Sequence, residues 1–261
     1  TAAVASLSAY VTIKALIDTA LDREMPKVME KADKRISGEK SSDEFTNRME
    51  SASESLAVQP NETVEIIAHD GEKLVGHYFP CEKPERVIIA FHGWRSSWHR
   101  DFGMISDFWY KNNCSVLYVE QRGQNNSSGE YMGFGLTERF DCLDWLNWEI
   151  ERCGSDIPVY LAGVSMGATT VLMAAGLQLP PNVHGIMADC GFTSANAIWE
   201  HIAKDNLHIR FGIRSAIADR MCRRKIQVGS KEHSTVEALK HTHVPVILVH
   251  GADDHFVPVE M

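Results

Sequence analysis

The stretch GVSMG at 163–167 sets Ser165 between two glycines, with one residue on either side. Before it, Pro158 to Ala162 has the apolar texture of a strand. After it, Met166 to Ala175 is rich in Ala, Leu and Met and reads as a helix. A serine at such a strand-to-helix corner is held in a strained backbone conformation, so the residues two away must be small. Gly163 and Gly167 meet that need, and Ala168 keeps the helix close to the sheet. The corner would hold the hydroxyl clear of the surface as a nucleophile. It would also aim the first N–H groups of the helix at the same point, where they stabilise a developing oxyanion.

That corner needs a sheet beneath it, and the sequence supplies one. TVEIIAH and KLVGHYF flank Asp70-Gly71, a strong hairpin signal. Short apolar runs follow at 86–92, 115–120, 158–163, 183–190 and 244–250. They are β-branched and nearly continuous, as strands buried on both faces of a parallel sheet should be. Helical patterns lie between them. In 136–153, for example, Phe140, Leu143, Trp145, Leu146 and Ile150 make a broad apolar face. The alternation implies an α/β fold, a mostly parallel central sheet flanked by helices. From Gly191 to His243 about fifty residues separate two consecutive strands, too many for a loop. This segment reads as a small helical cap over the carboxyl ends of the strands, where ligands bind in such sheets. Leu207, Ile209, Phe211, Ile213 and Ile217 suggest an apolar underside, or core packing.

Residues 1–57 form a helical extension and polar link ahead of the main domain at 58–261. Val4, Leu7, Val11, Ala15 and Ile17 suit one face of a peripheral helix, and the serine-rich stretch at 37–55 reads as a flexible link or short exposed helix. Lys14 and Asp18 interrupt the first segment, so no uncharged run of membrane-spanning length survives. Membrane contact would need a trimmed signal or anchor. The net charge of −9 argues against nucleic acid as a partner. The basic run of Arg220, Arg223, Arg224 and Lys225 reads as a solvated helix face. Six scattered cysteines show neither C-x-x-C nor zinc spacing and read as reduced thiols, which favours a cytoplasmic setting. No metal or organic cofactor is implied.

Four stretches, in order, resemble the α/β-hydrolase superfamily, and within it bacterial serine hydrolases related to the prolyl-oligopeptidase-like esterases. They are FHGW (91–94), EQRGQNNSSG (120–129), GVSMG and HGADDHFVP (250–258). Glu120 stands where Asp is commoner, and Gln124-Asn125 where the loop often has a small residue. The likeness covers 62–261 and implies a serine hydrolase cleaving a small-molecule carboxylic ester through an acyl-enzyme. A peptidase or amidase of the same type, and a catalytically inactive binding protein, are the alternatives.

The resemblance also implies roles for residues. Ser165 is the nucleophile, and the backbone N–H groups of Met166 and Trp94 form the oxyanion hole. His92 precedes that loop and is expected to be structural. Trp94 and Trp98 either line an acyl pocket or simply pack. The motif selects Asp254 as the acid, ahead of Asp189 and then Asp253, which would cap its loop. The order in this fold is Ser, acid, His, and after Asp254 only the adjacent His255 remains. The catalytic histidine, with a last strand and closing helix, is therefore expected beyond Met261.

Overall fold

The computed structural model describes residues 2–25, 44–212 and 214–261. Seven strands form one sheet in the order β1-β2-β4-β3-β5-β6-β7. They are β1 (Glu62–Ile67), β2 (Lys73–Phe79), β3 (Arg86–Phe91), β4 (Cys114–Glu120), β5 (Val159–Val164), β6 (Val183–Asp189) and β7 (Val246–Val249). The first two pair as the expected hairpin, Ile67 opposite Lys73, and β2 runs antiparallel to β4. All later pairings are parallel. The helices are α1 (Ala2–Leu21), α2 (Glu44–Ala57), α3 (Trp98–Lys111), α4 (Glu138–Cys153), α5 (Met166–Ala174), α6 (Ala195–His201), α7 (Arg214–Ile226) and α8 (Thr235–Leu239). A π-helical turn, Ile202–Asn206, continues α6.

Strand alternation sorts side chains to two faces. Val87, Ile89, Phe91, Leu117, Val119 and Leu161 point one way and pack with Trp145 and Leu146 of α4 and Val171 and Leu172 of α5. Ile88, Ala90, Val116, Tyr118 and Ala162 point the other way and meet Leu56 of α2 and Trp98, Phe102 and Trp109 of α3. Trp98 thus belongs to ordinary packing. The polar stretch after residue 43 is a helix, α2, which lies so close to α3 that a Cβ on Gly103 would sit 2.7 Å from the Ala52 carbonyl carbon.

A third cluster covers the strand ends around Met166 and differs from the sequence expectation. Ile13, Leu16, Ile17, Ala20 and Leu21 of α1 are buried there with Phe134, Phe192, Ile198, Trp199, Phe211 and Met221. The described half of α1 is therefore part of the core; of the expected face Ile17 is buried and Ala15 half-buried, while Val11 is exposed. The reason is its partners: Lys225 of α7 bridges Asp18 and Asp22, and the Met132 N–H donates to the Leu21 carbonyl at 2.7 Å. Lys225 thereby leaves the solvated face on which Arg220, Arg223 and Arg224 remain. Leu207, Ile209 and Ile217 pack against this cluster, while Ile213 lies outside the described residues. β7 also departs from expectation. It is the edge strand, and Ile247, Leu248 and Val249 are exposed rather than buried on both faces.

The loop after β4 is tied down by a buried ion pair. Arg122 makes a bidentate pair with Asp141 of α4 and reaches Asp70 in the hairpin turn at 2.7 Å. Two carboxylates around it hold the guanidinium firmly protonated despite its burial. Removing one partner strands a buried charge, so Arg122→Ala should cost about 3–5 kcal/mol in urea unfolding. The double change Arg122→Met with Asp141→Leu should recover most of that loss. A single variant as stable as the parent would contradict this role.

Candidate active site

Register brings the carboxyl ends of β3, β4, β5 and β6 to one level: Phe91 lies opposite Val119 and Gly163, and Val164 opposite Asp189. Three loops therefore leave the sheet side by side, and Ser165 stands among them. Its backbone has φ 53° and ψ −113°, a conformation L-residues rarely adopt. Such a residue costs about 1–3 kcal/mol and persists only where its surroundings over-determine it. Here they do. The Ser165 N–H donates to the Asp189 carbonyl at 2.8 Å, and its own carbonyl accepts from the Thr169 N–H at 3.0 Å. A Cβ on Gly163 would lie 2.3 Å from the Gly167 carbonyl carbon, and one on Gly167 only 1.9 Å from the Phe91 oxygen. The helix cannot sit this close to the sheet with any side chain at 167.

Ser165 is half-buried and opens onto an apolar cavity. The cavity is small, about 50 Å³ within a partly open cleft, and is lined by Trp94, Phe134, Phe192, Trp199, Leu207 and Phe256 among others. Met166, fully buried, begins α5 directly after the serine. On the other side, a Cβ on Gly93 would lie 3.5 Å from the Ser165 Cβ. Ser165, Met166 and the loop carrying Trp94 are thus brought together. Asp254, Asp189 and Asp253 are not among the residues lining the cavity, and among the described residues no histidine is.

The loop at 92–96 is held by groups the sequence did not single out. Asp101 in the first turn of α3 accepts from the Gly93 N–H and the Ser96 hydroxyl, both at 2.6 Å. Gln121 donates from its amide to the His92 carbonyl and accepts from the Thr170 hydroxyl at 2.9 Å, linking the loop to α5. Gln124 and Asn125, where the sequence departs from the family pattern, also brace this loop. The Gln124 side-chain oxygen accepts from the Arg95 N–H at 2.5 Å, and Asn125 donates to the Ser96 carbonyl at 3.0 Å. A polar residue eight positions after the H-G pair was the available signal for Asp101, and it is a weak one.

His92 is fully buried. Its Nδ1–H donates to the Gly93 carbonyl at 2.7 Å and its Nε2 accepts from the Gln121 N–H at 3.2 Å, which fixes the neutral tautomer. Burial holds its pKa below the ordinary value, against the nearby Asp101 and Glu120. It is structural, with both ring nitrogens committed.

The acid candidates lie on adjoining loops. Asp254 Oδ1 accepts from the Phe256 and Val257 N–H groups, each at 2.9 Å, while its Oδ2 lies 3.9 Å from His250 Nε2, beyond hydrogen-bond range. Asp254 therefore caps the loop, the role expected of Asp253, which is exposed. Asp189 is exposed at the end of β6, yet packing around its carboxyl raises its pKa, with His250 opposing and Asp254 adding to the rise. His250 gives its Nε2–H to the Val257 carbonyl at 2.6 Å, and His255 is exposed. All six cysteines are free thiols, and among the described residues no helix is long and apolar enough to cross a membrane.

Two outcomes follow from this geometry. Gly167→Ala should lose at least about 3 kcal/mol in chemical denaturation, because neither the Phe91 carbonyl nor the helix can give way. Below about pH 6.5 the unfolded chain binds a proton that buried His92 refuses, so stability should fall by up to about 1.4 kcal/mol per pH unit. Melting curves from pH 8 to 5 should show a flatter decline in His92→Asn. An unchanged slope would remove His92 as the cause.

No family model matches the chain. One curated relative, described as the uncharacterized protein YqkD of Bacillus subtilis (strain 168), is 23% identical over 188 residues. The match takes in 70% of this chain and 59% of that protein, so the chain spans about three-fifths of the relative's length. Among solved structures, the Pyrococcus furiosus esterase Pf2001 superposes with a TM-score of 0.61 at 20% identity, over 79% of this chain and 75% of its own. Est1E of Butyrivibrio proteoclasticus, solved with ferulic acid bound, gives 0.58 at 19% identity over 76% and 82%. The acylaminoacyl peptidase of Pyrococcus horikoshii gives 0.54 at 15%, over 79% of this chain but 34% of that one. Taken with the strand order and the strained serine between β5 and α5, these likenesses show that the chain has the α/β-hydrolase fold.

Proposed function

We propose that this chain carries the nucleophile and oxyanion hole of a serine hydrolase that cleaves carboxylic esters. The observation that carries the reading is Ser165, held at φ 53° between two obligatory glycines and opening onto an apolar cavity. One of the neighbours by fold is named as an esterase, one was solved with ferulic acid bound, and one is named as a peptidase.

In this reading the Ser165 Oγ attacks the ester carbonyl carbon and loses its proton to a histidine. The C–O bond to the alcohol breaks, and the alkoxide takes that proton. Water then attacks the acyl-enzyme by the same route in reverse, freeing the acid and the serine. The N–H groups of Met166 and Trp94 hold the oxyanion, a contribution of several kcal/mol when donors are fixed in advance. Asp254 orients the histidine. Its Oδ1 is anchored by two backbone N–H groups, and its Oδ2 has a histidine 3.9 Å away but no hydrogen bond to it. Among the described residues no histidine lines the cavity, so this reading leaves the base unassigned.

A second reading, an inactive binding protein on a hydrolase fold, draws on the absence of histidine from the described cavity wall.

Turnover of p-nitrophenyl acetate by the full-length protein separates these readings. Ser165→Ala and Asp254→Asn should each lower kcat by roughly a thousandfold or more. Asp189→Asn should cost less than about tenfold. Faster cleavage of aminoacyl anilides than of esters would move the assignment to a peptidase. Turnover that survives Ser165→Ala would end it.

A further inference from the structure

The wall of the Ser165 cavity includes a part of the chain with no counterpart in the family motifs: Leu16, Thr19 and Ala20 of α1. All three are buried. They are not a loosely draped helix. The carboxyl end of α1 is locked to the loop that follows β3, because the Arg95 guanidinium donates to the carbonyls of Thr19 (3.0 Å), Asp22 (2.6 Å) and Arg23 (2.9 Å). Three bonds to the last carbonyls also complement the negative end of the helix dipole. The neighbouring Trp94 donates its indole N–H to the Ala20 carbonyl at 3.0 Å. A second anchor is the Arg23 N–H to the Glu130 carbonyl at 2.9 Å. The distance from the serine to α1 is therefore set by the same loop that borders the serine.

The chemistry of the wall follows from how its polar groups are used. The Thr19 hydroxyl donates within its own helix to the Ala15 carbonyl at 2.7 Å, and the Trp94 indole is taken by Ala20. Trp199 Nε1 is buried without a protein partner. Among the described residues no charged side chain lines the cavity. A charged acyl group would be desolvated here with no opposite charge to pair it and at most the neutral Trp199 N–H to meet it, which is costly, whereas an alkyl chain or aryl ring loses nothing.

We propose that α1 is a specificity element: it forms the wall against which an uncharged, mainly apolar acyl group of the substrate packs, and Leu16 and Ala20 set the size accepted. This rests on the ester-hydrolase reading above.

The test is kcat/KM of the full-length protein for p-nitrophenyl acetate, hexanoate, decanoate, benzoate and monosuccinate, which share one leaving group. Hexanoate and benzoate should exceed the monosuccinate by roughly a hundredfold. Ala20→Leu fills the cavity from the α1 side and should lower the hexanoate-to-acetate ratio by about tenfold or more. Leu16→Ala opens it and should raise the decanoate-to-acetate ratio. Cooperative melting confirms that each variant is folded, and either variant alone suffices. Ratios unchanged within about threefold in folded variants that still turn over ester would overturn the role of α1 and leave the hydrolase reading standing. A monosuccinate cleaved as well as hexanoate would overturn the apolar assignment. No turnover of any ester by the parent would overturn both.

Discussion

The contact between Gly167 and the Phe91 carbonyl governs the rest of the site. Where a Cβ would come within 1.9 Å of that oxygen, α5 is pressed against the end of β3 as closely as a backbone allows. That approach forces the turn before it, and the turn forces Ser165 into a positive φ. The same approach lays the loop at 92–96 beside the serine. The strain is modest for a folded domain, because hydrogen bonds from β6 and α5 hold the residue on both sides.

Around this contact the molecule uses polar groups for position rather than for reaction. Asp101, Gln121, Gln124 and Asn125 all brace one short loop, and His92 lies beneath it with both ring nitrogens used. Among these groups the Gln124 side-chain nitrogen alone has no partner, and a network this nearly satisfied specifies a single geometry. Arg122 extends the bracing to α4 and the hairpin turn. Above the sheet the character reverses. α1 and α6 contribute mostly aliphatic and aromatic side chains to the cavity wall, which is almost free of polar atoms.

The sequence made some of this legible and hid the rest, for physical reasons. The serine corner could be read because its requirement is local: small residues at fixed offsets, a strand before and a helix after. The buried strands and the hairpin were equally plain, since pattern and turn chemistry sit within a few residues of each other. The placement of α1 was not legible. Its helical period is clear, but which face turns inward is decided by Lys225, Met132 and Arg95, far away in the chain. β7 misled for a related reason. Its letters are those of a strand covered on both faces, while only β6 pairs with it among the described residues. Asp101 was missed because one carboxylate in the first turn of a helix looks like any other until the loop it holds is seen.

The account stands or falls on the nucleophilicity of one hydroxyl. Exposing the full-length protein to a fluorophosphonate and mapping the adduct by peptide mass spectrometry tests it directly. The predicted result is a single phosphonylated site at Ser165, lost in Ser165→Ala. An unmodified protein, or an adduct on any other residue, would contradict it.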